Sequence, residues 1–600
     1  MTVELHECSK GVWRAPGARI VDRTGRRRLP IGDDGFTSAA AASVLVDKTA
    51  LIADVLDSNY KATLFCRPRR FGKTLNMTMM KAFFEAPPAG AADSSLFEGT
   101  EVWEMGGGAY REHFASYPVI YLSMRTAKGD TWEQTYGALK DVLAAEFDRH
   151  AYVLESDALA AYDRDAVMGI ITGSASESDY AGSLLYLARL LRAYHGHPVV
   201  LLIDEYDAPV MAGYSGPNGG YYREVVTFLK RLLTGPLKDG GEVLAFACLT
   251  GVQRISKESI FSDLNNLVVS TPLSTDSDER FGFTDAEAAA LIAYMGYDDP
   301  KYMVEARRWY DGYRFGAADV YNPWSVLNYV NYGCSVDVYW GNTSGNAVVG
   351  DLVRTADETT IEEIYKLLEP DGVVWASLDL GIVFPEMGLQ GDALWSMLYL
   401  SGYLTTEDTS MPNDSQLVRP LRIPNLEVAR LYRGEIIDRF LAVAGGRTRL
   451  TRLHTALVEG DAEGLRTELS RIAEASVSVF DLTSENSWHM FLLGLLFNVR
   501  GYVDPISNRE YGLGRPDIRL EPDGTFADDS ERPLVTIELK YMRGADEGDL
   551  KRLAQEALRQ IDDRRYDAGA LPERASSRVR WGIACCGKRV AVVAETVPWV

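Results

Sequence analysis

The chain of 600 residues has little of what several common kinds of site require. Its 6 cysteines, Cys8, Cys66, Cys248, Cys334, Cys585 and Cys586, show neither Cys-x-x-Cys spacing nor a partnering histidine array. That argues against a disulfide framework and against a zinc site, and most of the thiols are expected to be reduced and buried. No apolar run comes near the roughly 20 residues of a membrane helix. The first residues, Met1 to Glu7, lack a basic segment with an apolar stretch behind it, so a cytoplasmic protein with no membrane partner is expected. Basic charge is also in deficit, with 62 Lys and Arg against 85 Asp and Glu, a net charge of -23. A protein that coats nucleic acid by bulk electrostatics is thereby excluded, although local basic patches stay open.

What is present is the 46% hydrophobic and 24% charged content of a globular protein, long enough for three or four domains at about 150 residues each. After a polar stretch, 1–30, short apolar runs alternate with helical patterns. Tyr117 to Leu122 precedes Trp132 to His150, Val199 to Ile203 precedes Tyr221 to Leu233, and Val243 to Leu249 follows. Such alternation predicts a parallel sheet covered by helices. From Asp285 to about Tyr432 the pattern predicts short helices rich in aromatics, with Trp309 to Tyr313 and Trp324 filling a core or a domain contact rather than stacking on bases. Residues 433–475 read as amphipathic helix, a bridge to a last small α/β unit.

Arg67-Pro68-Arg69-Arg70-Phe71-Gly72-Lys73-Thr74 carries the second half of a phosphate-binding loop, with arginine in place of its usual first glycine. The apolar run Ala62 to Cys66 before it and a helical stretch from Leu75 to Phe84 after it supply the strand-loop-helix context. In that context backbone N–H groups cradle phosphate oxygens, a lysine reaches the outer phosphates and a hydroxyl meets magnesium. Gly72, Lys73 and Thr74 suit those roles, and Arg67, Arg69 and Arg70 either steer an anion or are solvated. Asp204 and Glu205 end the second apolar strand, where an aspartate would support magnesium and a glutamate would act on an attacking water. Thr250 and Arg254 stand where the next strand would present a sensor of the terminal phosphate.

These segments resemble the bacterial predicted AAA-ATPase-like family, as do Val46-Asp47-Lys48-Thr49, Asp204 to Asp207, Trp309 to Tyr313, Tyr321-Asn322-Pro323-Trp324-Ser325 and Asn342-Thr343-Ser344-Gly345-Asn346. The resemblance covers roughly residues 31–430, and it implies ATP binding with magnesium while leaving open whether ATP is hydrolysed or only held.

Near the C-terminus, Asp517 in Gly514-Arg515-Pro516-Asp517-Ile518 is followed by Glu538 and Lys540 in Ile537-Glu538-Leu539-Lys540. Two strands of a hairpin can bring Asp517 beside Glu538, and the period of two sets Glu538 and Lys540 on one face. Paired carboxylates hold a hard divalent cation, and a nearby lysine orients or activates water. Together with Glu485, Ser507 to Glu510, Gln560-Ile561 and Tyr566, this set resembles the PD-(D/E)XK nuclease superfamily. By that resemblance Asp517 and Glu538 are metal ligands for magnesium or manganese, Lys540 is the catalytic lysine, Glu485 is a further acid on the first helix and Gln560 is a supporting polar group. His489 is expected to be a packed helix residue. Residues 476–600 carry 17 Lys and Arg against 20 Asp and Glu. That near balance allows Arg500, Arg509, Arg515, Arg543, Lys551 and Arg552 to form a phosphate-facing patch or to be ordinary solvated charges.

The expected organisation is an α/β multidomain protein. An N-terminal appendage, 1–30, precedes a P-loop AAA-ATPase-like domain with a parallel sheet, 31–285. A mainly helical unit follows at 286–432, for which a winged-helix-like form is left open, then a helical linker, 433–475, and a small restriction-endonuclease-like α/β domain, 476–600. The expected function is an ATP-regulated, metal-dependent nuclease acting on DNA or, as the second choice, RNA, with bacterial defence as a setting by analogy. A protein trigger and a homo-oligomer are compatible with it. The alternative is a nucleotide-dependent protein-binding switch whose C-terminal domain binds nucleic acid without cutting.

Overall fold

In the computed structural model the described residues are 3–88, 90, 92–155, 160–214, 220–254, 261, 266–341, 358–369, 371–380, 391–410, 418–475, 482–507, 509–526, 530–567, 572 and 574–598. The Asn342 to Asn346 segment and Asn508, both named above, lie outside them. The chain divides into two compact units, 1–342 with 373–428, and 343–372 with 429–600.

In the first unit, β1 (His6–Ser9), β2 (Val12–Ala15), β3 (Ala18–Asp22) and β4 (Val44–Val46) form an antiparallel sheet in that order. Residues 1–30 are thus tied by β4 to the body that follows. The inner face of this sheet, with Ala15, Ile20 and Val44, shares one core with Leu291, Trp309, Tyr310, Tyr321 and Val326. The cause is chemical: short strands with one apolar face must bury it, and the aromatic helices Asp285–Tyr294, Pro300–Tyr310 and Pro323–Asn331 supply the other half. The core therefore crosses the boundaries expected at 30 and 285.

The central sheet contains β5 (Ala62–Cys66), β6 (Val119–Ser123), β7 (Val199–Asp204), β8 (Leu244–Gly251) and β9 (Leu267–Ser270). Its order is β6-β7-β8-β5-β9 and every pairing is parallel. All residues of β5 and β7 are buried, which is why these strands read as continuous apolar runs rather than alternating ones. The helices Trp132–Arg149, Glu177–His195 and Tyr222–Asp239 contribute to the core on this sheet. The last of them continues through Pro236, beyond the expected end at Leu233. β9 has only four residues, three of them half-buried, too weak a pattern to read from sequence. Parallel strands bring their C-terminal ends to one edge, with Cys66 opposite Gly251 and Ser123 opposite Asp204.

The middle region is helical, with two antiparallel ribbons: β10 (Tyr313–Phe315) with β11 (Ala318–Val320), and β12 (Val374–Ser377) with β13 (Val418–Leu421).

In the second unit, β14 (Ile506–Ser507), β15 (Ile518–Leu520), β16 (Arg532–Tyr541), β17 (Ala575–Cys586) and β18 (Arg589–Pro598) make a sheet in that order. Only β16 and β17 run parallel, as their connecting helix Glu547–Asp563 requires. A Cβ at Gly582 of β17 would lie 2.0 Å from the Ala554 carbonyl oxygen, so this glycine lets the helix backbone touch the sheet. The helices Arg447–Glu459 and Ala462–Ala475 belong to the same unit, and Trp581 Nε1 of β17 donates to the Leu457 carbonyl at 3.1 Å. The chain is a mixed α/β protein with a parallel sheet in its N-terminal region, a helical middle and a C-terminal sheet domain. No helix among the described residues is long and apolar enough to cross a membrane. All six cysteines are free, and five are buried.

Candidate functional site

The phosphate loop leaves the end of β5 and enters the helix Lys73–Phe84 through Gly72, at φ 78°. A left-handed backbone at a helix start suits glycine and turns the first N–H groups outward along the loop. Arg70 also has a positive φ, 70°, a strained choice for a side chain with a Cβ. Its guanidinium lies 4.3 Å from the Trp324 ring centroid, and burial pulls its pKa down. Lys73 is buried, and its ammonium donates to the carbonyls of Arg67 at 3.0 Å and Pro68 at 2.8 Å. Burial also lowers its pKa, opposed by Glu205, Asp207 and Asp204.

Arg67, at the position of the missing glycine, is fully buried. Its guanidinium donates to the carbonyls of Cys66 and Ser270, both at 2.9 Å, and to Ser270 Oγ at 3.1 Å, between the rings of Phe281 and Phe315. The side chain thus fastens the loop to the end of β9 and is turned inward. Other aromatics grip the same loop. Phe71 packs on Tyr313 and Phe315, and Trp340 Nε1 donates to the Arg69 carbonyl at 3.3 Å.

Across the sheet edge, Thr74 Oγ1 donates to Asp204 Oδ2 at 2.8 Å and Thr250 Oγ1 donates to Asp204 Oδ1 at 2.6 Å. A hydroxyl and a carboxylate within one hydrogen bond are the oxygen pair a magnesium–nucleotide complex uses. Thr250 accepts the Glu205 N–H at 3.3 Å as well, so it stands behind the acids as their support. Glu205 has φ 51°, and burial raises its pKa. Sequence reasoning gave Asp207 no role. It is buried and accepts the N–H groups of Val252 and Gln253 at 2.8 and 3.1 Å, bracing the chain after β8. Arg254, further along, is exposed.

In the second unit, the pairing of Ile518 with Ile537 sets Asp517 opposite Glu538. Asp517 Oδ2 accepts the Leu539 N–H at 2.7 Å. Glu538 is buried, 3% exposed. Its Oε1 receives Lys540 Nζ at 3.3 Å and a short hydrogen bond from Gln560 Nε2, which also donates to the Tyr566 hydroxyl at 3.1 Å. Its Oε2 is buried with no hydrogen-bond partner. Burial raises the pKa of both acids, and Asp517 pushes Glu538 further up. An orphaned buried oxygen beside a second carboxylate is the donor set a hard cation would complete, so the residues fit a divalent metal.

Asp517, Glu538, Lys540 and Gln560 are therefore brought together. Glu485 is exposed at the start of the helix Glu485–Leu495 and accepts the Tyr541 N–H at 3.1 Å, tying the helix to the end of β16. Among the described residues no three His, Cys, Asp or Glu side chains form a metal-sized cluster. His489 is buried, with Nε2 3.0 Å from Ser507 Oγ, and it bonds the Asp517 backbone. It packs, as its helix position implied, and it also steadies Asp517. Three of the basic residues considered for a phosphate-facing patch are paired locally: Arg515 with Glu510, Arg552 with Asp549 and Lys551 with Glu547.

Comparison with known proteins agrees with the two-part arrangement. Residues 30–261 match the family described as Predicted AAA-ATPase, and residues 483–595 match the PD-(D/E)XK nuclease superfamily. A protein of Azotobacter chroococcum mcd 1, described as an uncharacterized protein in the vnfD 5' region, is 27% identical over 451 residues, covering 74% of this chain and 76% of its own. The chain thus carries an AAA-ATPase-like region followed by a nuclease-superfamily region.

Proposed function

We propose that the chain is a nuclease of the cytoplasm that cuts phosphodiester bonds with a divalent metal, magnesium or manganese, and that ATP bound by the first unit regulates it. The observation that carries the reading is the pair Asp517 and Glu538, in which Lys540 and Gln560 hold Glu538 Oε1 while Oε2 is buried without a hydrogen-bond partner.

A cation held by Asp517 and Glu538 would neutralise charge on the scissile phosphate. Lys540, bonded to Glu538 Oε1, would donate hydrogen bonds to the attacking water and hold it in line. Gln560 would fix the Glu538 carboxylate through Oε1 and leave Oε2 for the cation. Asp517 keeps its position through the Leu539 N–H and the buried His489. In the first unit, Lys73 would exchange its loop carbonyls for the outer phosphates of ATP. Thr74 and Asp204 would share magnesium, Thr250 would hold Asp204 in register, Arg70 would face the phosphates and Glu205 would orient water if ATP is turned over.

A second reading has one observation in its favour: among the described residues no group of three His, Cys, Asp or Glu side chains that could hold a metal ion occurs. It is a nucleotide-dependent switch whose C-terminal domain holds nucleic acid uncut. Incubating the full-length protein with linear, circular and single-stranded DNA and with RNA, in magnesium or manganese, with and without ATP, separates the two. Metal-dependent cleavage that disappears in Asp517→Ala is expected. Cleavage that survives that substitution sinks the nuclease reading, and retention without any cleavage favours the switch.

A further inference from the structure

Just before Pro516 and Asp517 the chain doubles back. The Tyr511 N–H donates to the Gly514 carbonyl at 2.8 Å, and the Gly514 N–H donates back at 3.2 Å, which puts Gly512 and Leu513 at the tip of a tight turn. Gly512 has φ 57°, and a Cβ there would lie 2.0 Å from the Arg565 carbonyl oxygen. The Leu513 N–H donates to the Arg564 carbonyl at 2.8 Å. The tip is therefore pinned to the backbone that follows the helix Glu547–Asp563. Even so, 66% of Leu513 is exposed.

A single exposed leucine is unremarkable, but the location of this one is informative. It lines a cleft of about 550 Å³ whose wall includes Gln560 and Tyr566. Those two side chains bond each other, and Gln560 bonds Glu538, so the cleft adjoins the carboxylate pair. A second feature concerns charge. Arg559 and Arg564 line the cleft, but so do Glu556 and Asp563. A wall of mixed sign holds a polyanion poorly by charge alone, so contact with a base or sugar must contribute. A third is depth. Glu538 is 3% exposed, so a strand has to seat closely over the site, which a locally opened and flexible strand does at lower cost than a stiff continuous duplex.

We propose that the cleft receives an unstacked nucleotide and that Leu513 is a wedge that keeps it out of the base stack. The substrate class is then nucleic acid with unpaired or locally opened nucleotides beside the cut. This rests on the nuclease reading of Asp517 and Glu538 and adds a specificity-determining residue to it. Apolar side chains inserted at base steps do such work elsewhere, and a rigid backbone is what lets a wedge resist restacking.

The test uses the full-length protein and 2-aminopurine oligonucleotides, of DNA and of RNA, in single-stranded, fully paired and three-nucleotide-bubble forms. Binding is followed in calcium by 2-aminopurine fluorescence, and cleavage is followed in manganese. Single-stranded and bubbled strands should bind at least about tenfold more tightly than the duplex, with a fluorescence rise at the opened step. Leu513→Ala should reduce both the preference and the rise to within about twofold of none, with an unchanged melting temperature, and Leu513→Met should restore them. Equal handling of duplex and opened strands by the parent protein, or a Leu513→Ala variant that keeps the preference, overturns the wedge. Cleavage surviving Asp517→Ala overturns the nuclease reading instead, and absence of binding by any strand overturns both.

Discussion

The two candidate sites treat their central carboxylate in opposite ways. At the end of β7 both oxygens of Asp204 receive a hydroxyl, from Thr74 and from Thr250. In β16 one oxygen of Glu538 receives Gln560 and Lys540 while the other is buried without a partner, and Asp517 stands opposite. A satisfied carboxylate is stable as it stands and can exchange one hydroxyl for a cation at small cost. A buried carboxylate with an orphaned oxygen and an acidic neighbour is pushed toward its protonated form, which Lys540 offsets only in part, and a further cation would favour the charged form. The first arrangement suits a ligand that comes and goes as a signal, and the second suits a cation held for chemistry.

The largest effect expected from disturbing this contrast is at Asp517. Asp517→Ala should lower single-turnover cleavage by about 1,000-fold, the equivalent of several kcal/mol of lost charge stabilisation. A loss below tenfold would mean the pair does not hold the cation. Gln560→Ala should weaken metal activation by about 10-fold to 100-fold, as loss of an outer partner of a metal ligand does. A manganese titration of cleavage would show it as a shifted midpoint with a similar plateau. On the satisfied side, Lys73→Ala should weaken binding of a fluorescent ATP analogue by about 10-fold to 100-fold, the worth of a charged hydrogen bond, while leaving the manganese midpoint in place.

The smallest effect concerns Glu427, a fully buried acid of the first unit that accepts Ser325 Oγ and the Trp340 N–H, both at 2.7 Å. Burial pushes it from the ordinary 4.5 up to about 7 despite the hydrogen bonds from Trp340, Ser325 and Tyr339 that oppose it. A raised acid binds its proton more tightly when folded, so its contribution is fully present below about pH 4.5 and is lost as pH rises through about 7. Melting curves from pH 5 to pH 8 should show part of the fall in stability missing in Glu427→Gln. Identical pH profiles would show that the hydrogen bonds to Glu427 outweigh its burial.

Local patterns in the sequence made much of this legible. The fully buried runs Ala62–Cys66 and Val199–Asp204 announced themselves as parallel strands, and Gly72-Lys73-Thr74 announced the turn into a helix after the first of them. The two-residue period brought Glu538 and Lys540 to one face. Tyr566 and His489 were visible as residues, but their links were not: the bond of Tyr566 to Gln560 depends on how the chain turns after the helix Glu547–Asp563, and that of His489 to the Asp517 backbone joins a helix to a separate strand. The inward turn of Arg67 was hidden for the same reason: its partner Ser270 lies on β9, 203 residues away.

The sequence by itself determined which segments become strands and helices and which residue types stand at their ends, since periodicity, glycine placement and buried apolar runs act over a few residues. Only the tertiary structure decided that Arg67 is turned inward onto Ser270, that Glu485 accepts the Tyr541 N–H, and that Leu513 projects beside the cleft. Each of those outcomes depends on where a distant backbone supplies a partner or excludes water, and burial and hydrogen bonding across the fold set it.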